Sequence, residues 1–126
     1  MALVLRNVHS WLRAGTAEAS LANLYDVLAP GGTLGIVQHR GDEGITLDQM
    51  KRTAYVPESK VIALATAAGF VLDGRSEINA NARDTKDYSG GVWTLPPNFR
   101  AGDVNREKYA AIGESDRMTL RFKKPL

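Results

Sequence analysis

The chain contains no cysteine, which excludes disulfide frameworks, thiolate zinc sites and cysteine nucleophiles. It has no apolar run approaching the roughly 20 residues of a membrane span, and Met1 to Leu5 is too short for the core of a signal peptide. A marked excess of one charge is also missing. Sixteen Lys plus Arg stand against fourteen Asp plus Glu, a net charge of +2, and the signs are interspersed apart from Arg121, Lys123 and Lys124. Neither nucleic acid nor a membrane surface is implied as a partner. These absences together fit a cytoplasmic protein. No G-x-G-x-x-G follows a strand, and no acidic residue stands at the end of a second strand to hold ribose hydroxyls. There is no internal repeat and no low-complexity tract.

What is present is enough for one domain of ordinary size, residues 1–126, with an apolar fraction of 44%. Ala2 to Leu5 reads as a short, wholly apolar strand, buried on both faces because its residues do not alternate. A chain that opens at once on Leu3-Val4-Leu5 is expected to be truncated. From Thr16, a candidate N-cap, Leu21, Leu24, Tyr25 and Leu28 recur at helical spacing until Pro30-Gly31-Gly32 stops the pattern. Thr33 to Val37 is a second apolar run, so strand, helix and strand make a right-handed crossover between parallel strands.

Pro57 sits where a first helical residue is tolerated, and Val61, Leu64, Ala65 and Ala68 form one stripe ending at Gly69. A third strand, Phe70 to about Ile78, follows. Near the end Met118, Leu120 and Phe122 alternate with Thr119, Arg121 and Lys123, the period of a strand with one wet face. That alternation predicts an antiparallel strand. Between Asn79 and Ser115 (residues 79–115) lies an insert far longer than an ordinary connection. It carries Tyr88, Trp93, Phe99 and Tyr109, which favours a packed loop or lid over a solvated linker.

The Leu28-Ala29-Pro30-Gly31-Gly32-Thr33-Leu34 junction into a strand, the later Ala68-Gly69-Phe70 junction, the long insert and the final antiparallel strand come in a recognisable order. That order resembles the C-terminal half of class I S-adenosylmethionine-dependent methyltransferases, over nearly the whole chain. More narrowly, Arg6-Asn7-Val8-His9-Ser10-Trp11, Val37-Gln38-His39-Arg40 and the run Ser115 to Pro125 look like a branch known mostly as predicted methyltransferases. The resemblance implies an α/β, partial Rossmann-like fold. It predicts a mixed sheet of about four strands, the last inserted antiparallel between the second and third. It also implies S-adenosyl-L-methionine as cofactor and a small-molecule methyl acceptor. The glycine-rich half that holds the cofactor in that family is absent, so the chain alone is expected to bind it weakly.

Within this resemblance both histidines fall just beyond predicted strand ends, where open α/β sheets bind ligands. His9 and His39 are the candidate catalytic bases. Asn7 is a candidate for orienting the acceptor, Trp11 for walling it through cation–π contact, and Arg40 and Tyr55 for lining its pocket. Asn7, His9, Trp11 and His39 are expected to converge on one concavity. Structural roles stand beside these: Trp11 in the core, Asn7 capping a turn, Gly31-Gly32 as turn geometry. His9, His39, Asp42 and Glu43 match no metal-ligand spacing. The apolar first strand predicts a homo-oligomer or pairing with a missing N-terminal half. The alternative to an enzyme is a truncated, non-enzymatic module acting through self-association.

Overall fold

A computed structural model describes residues 1–126. The chain runs β1 (Ala2–Leu5), α1 (Val8–Ala14), α2 (Ala17–Val27), β2 (Thr33–Gly41), α3 (Leu47–Thr53), β3 (Val56–Pro57), α4 (Glu58–Ala67), β4 (Val71–Ser76), a 3-10 turn (Gly91–Thr94), α5 (Arg106–Ile112) and β5 (Arg117–Lys123). The main sheet has the order β1-β2-β5-β4, with β3 paired to β2 off that path. β1 and β2 are parallel, and β5 runs antiparallel to both β2 and β4. The last strand therefore lies between the second and the third long strands, as the resemblance implied.

The core lies on one face of the sheet. Val4, Leu34, Ile36, Met118, Leu120 and Phe122 alternate onto that face and meet Val8, Leu12, Leu21, Met50, Val61 and Leu64 from the helices. Each such side chain contributes about 2 kcal/mol of hydrophobic stabilisation. The expectation that β1 is buried on both faces is corrected here. Only Val4 is buried, while Leu3 and Leu5 are 62% and 53% exposed. Side chains alternate along a strand, and of β1 only Val4, with Ala2 partly beside it, joins the hydrophobic core. Leu3 instead lies across Gly35, where an added Cβ would come within 2.9 Å of it.

Three short helices escaped the reading of periodicity: α1, α3 and, within the insert, α5. α1 begins at Val8, but the side chain of its N-cap Asn7 makes no capping bond. Its first amides are served from outside: Gln38 Oε1 accepts from the N–H of Val8 at 3.1 Å and of His9 at 3.4 Å. α3 starts on a capping box, in which Thr46 and Gln49 serve one another's backbone N–H groups. β2 also runs past Val37 to Gly41, because β5 and β3 pair its extra residues. His39 is thus inside a strand rather than beyond one.

The insert is packed. Tyr88, Val92, Thr94 and Leu95 are buried within it. Asp116 ties it to the sheet, since its carboxylate accepts from Arg40 Nε at 2.9 Å and from the Asn81 N–H at 2.8 Å, and pairs with Lys86 at 2.9 Å. Asp84 accepts from the Asp116 N–H at 2.9 Å and from the Tyr55 hydroxyl at 2.8 Å. Burial alone would raise the Asp116 carboxyl, but the hydrogen bonds from Arg40 and Lys86 hold it down at about 2. No helix is long and apolar enough to cross a membrane.

Candidate functional site

A cavity of about 230 Å³ opens where β1 and β2 reach their carboxyl ends. The β1–α1 turn supplies Arg6, Asn7 and His9 to its wall, and β2 supplies His39. Trp93 and Pro96 to Asn98 come from the insert, Ser115 and Arg117 from the approach to β5. Arg117 reaches the site because it is the register partner of His39. The rings of His9 and His39 are 5.5 Å apart, and Trp93 stands edge-on to His9 at 6.0 Å.

The hydrogen bonds of Gln38 determine the state of His9. Gln38 Oε1 is occupied by two backbone N–H groups, and Nε2 donates to Ala54 O at 2.9 Å, so the amide orientation is settled. The second Nε2 hydrogen then serves His9 Nδ1 at 3.1 Å. The reverse pairing, Nδ1 to Oε1, is longer at 3.5 Å and competes with both backbone donors. Neutral His9 therefore accepts at Nδ1 and carries its proton on Nε2, which makes it a donor at its other edge.

Burial lowers the His9 pKa, the Gln38 bond opposes this in part, and Arg13 and Arg6 push it down further. Burial takes His39 down to about 3, with Arg117, His9 and Arg6 acting in the same direction. Both imidazoles are neutral near pH 7. Ser115 Oγ lies 2.5 Å from His39 Nδ1 and holds that ring in place.

Of the residues singled out in the sequence, Asn7, His9 and His39 come together here. Trp11 does not: it is half-buried against the hydrophobic core, and Trp93 takes the position expected of it. Arg40 is engaged elsewhere, with Glu77 at 2.7 Å, Asp116 at 2.9 Å and Glu58 at 3.7 Å. The Glu77 and Asp116 hydrogen bonds raise its pKa further, which leaves it a permanent structural cation. Tyr55 is buried, donates to Asp84 and lines a neighbouring cavity of about 280 Å³. Alternation would have separated Arg40 from His39, since adjacent strand residues face opposite ways. Arg6, Trp93, Ser115 and Arg117 are not among the site residues singled out in the sequence, although Arg6 and the Ser115–Pro125 run lie within the motifs that carry the resemblance and Trp93 among the aromatics of the insert.

No protein-family model matches the chain, and no curated protein sequence does either. Among solved structures it is similar to the [4+2]-cyclase SpnF, with a TM-score of 0.58 and 19% identity over 99% of this chain. The chain spans 49% of that structure, about half its length. At this identity the likeness concerns the fold alone. The fold is a partial Rossmann-like methyltransferase fold with a final antiparallel strand.

Proposed function

We propose that this chain is the acceptor-side half of an S-adenosylmethionine-dependent methyltransferase. The observation that carries the reading is the convergence of Asn7, His9 and His39 in one cavity at the carboxyl edge of the sheet. In this reading a small-molecule acceptor sits between Trp93 and the two histidines. Asn7 and the His9 Nε2–H orient it, and neutral His39, steadied by Ser115, takes up its proton.

The chain's own residues do not fit the whole cofactor. The turn after β1 is Arg6-Asn7 rather than a glycine loop, and the paired glycines elsewhere are filled by the chain itself. A Cβ at Gly32 would meet Ala29 O at 2.8 Å, and one at Gly91 would meet Thr53 O at 2.5 Å. S-adenosylmethionine would need a second half for its cradle, supplied in frame upstream of Met1 or by another subunit.

Two measurements test this. Titration calorimetry of the chain alone is expected to give S-adenosylmethionine affinity weaker than about 10 μM, and tighter binding, beyond about 7 kcal/mol, refutes the half-site argument. With a cofactor-side half added, labelled methyl should pass into a small-molecule extract, and His39→Ala should abolish transfer while cofactor affinity is kept. Transfer indifferent to His39 would remove the acceptor seat.

A further inference from the structure

We propose that the cavity at the carboxyl edge recognises a small organic anion, an apolar body carrying a carboxylate or phosphate group. This deepens, and rests on, the reading of that cavity as the acceptor seat. The wall carries two guanidinium groups, Arg6 and Arg117, and no Asp or Glu lines it, although Arg117 is paired from outside the cavity with Glu114. Arg6 takes part in none of the chain's ion pairs. Arg117 gives Nη2 to Glu114 at 3.1 Å, but its Nε is the one buried side-chain nitrogen or oxygen in the chain without a hydrogen-bond partner. A buried donor left unpaired is costly, so a ligand that drew this guanidinium toward the cavity would complete its hydrogen bonding.

His9 adds a third donor, because Gln38 fixes its proton on Nε2. Further positive charge stands behind the aromatic wall, where Arg100 and Arg13 stack on Trp93 at 4.7 and 5.6 Å. Arg13 also donates to Lys51 O at 2.9 Å, which holds it there. Guanidinium groups pair with carboxylate and phosphate through short, charge-assisted hydrogen bonds. Trp93 and Pro97 offer the apolar surface for the rest of the ligand.

The same charge pattern gives the anion a chemical consequence. Burial is the main cause of the low His39 pKa, and Arg117 and Arg6 lower it further, so a bound negative charge offsets only their part and shifts the His39 pKa upward.

Benzoate, with benzamide as its neutral isostere, is the probe, titrated into the full chain while the His9, His39 and Trp93 NMR signals are followed. Benzoate should shift all three and raise both histidine midpoints. Benzamide should bind about tenfold more weakly or less, and Arg6→Gln and Arg117→Gln should each weaken benzoate by about tenfold. Arg6 lies exposed in the β1–α1 turn, so Arg6→Gln carries the test should Arg117→Gln fail to fold. Equal affinity for benzamide at the same signals overturns the anion preference and leaves the acceptor seat standing. Shifts confined to other residues, or none with either probe, remove both.

Discussion

Lowering the pH from 7 to 5 protonates the two histidines of the unfolded chain and little else, since unperturbed carboxylates ionise near pH 4. In the unfolded chain His39 takes up its proton near 6.5, whereas in the fold it stays neutral until about 3. A depressed folded pKa means that the unfolded state binds more protons, so this contribution is complete above 6.5 and lost as the pH falls toward 3. Protonating one such unfolded histidine at pH 5 costs the folded state about 2 kcal/mol relative to pH 7. His9 is shifted in the same direction and adds to the loss. With a urea slope of about 1–2 kcal/mol/M, the unfolding midpoint should drop by about 1–2 M. Fluorescence of Trp11 and Trp93 reports the transition, measured at pH 7, 6 and 5 for the wild type and for His39→Gln. The substitution should flatten the pH slope whatever it does to stability at pH 7. A wild-type midpoint that does not move, or a His39→Gln protein that keeps the full slope, refutes the burial argument.

Asp116→Asn removes the charge shared by Arg40 and Lys86, and should cost about 3 kcal/mol while quickening proteolysis within residues 79–115. Unchanged proteolysis would show that the insert is held by its apolar contacts alone. In the wild type, the Asp116 contribution is present above about pH 4 and is lost as the pH falls through about 2, a fall of about 2 kcal/mol that Asp116→Asn should lack in acid titrations. Leu3 and Leu5 on the exposed edge strand should drive self-association, read by sedimentation at micromolar concentration and reversed by Leu3→Lys with Leu5→Lys; a wild-type monomer refutes this.

The elements legible in the sequence are those whose cause is local. The stripes of α2 and α4 and the alternation of Met118, Leu120 and Phe122 each reflect a face turned to the core. α1 was illegible because the group that caps it, Gln38, lies on another strand. α3 buries only Met50, so it has no stripe, although Thr46 and Gln49 spell a capping box. Asn7 and His9 could be placed because strand ends define the ligand edge of such a sheet, whereas the assignment of His39 to that edge rests on a strand end put at Val37, though β2 runs on to Gly41. Trp93, Ser115 and Arg117 could not be placed, since only the folded insert and the antiparallel pairing of β5 carry them there.

That pairing also governs the order in which the protein can be made. β2 and β4 never touch one another in the sheet; each is joined to β5, which is synthesised after both. A ribosome that has not yet passed Lys123 holds two fragments, a β1–β2 pair and an unpartnered β4, with Leu34, Ile36 and Phe70 awaiting cover. Loop closure over such separations is slow, and the exposed strands are open to pairing with other chains meanwhile. Stalled or prematurely terminated products should therefore be the aggregating and degraded forms of this protein. The sheet becomes continuous only when residues 117–123 enter it, so cooperativity arrives with the final strand.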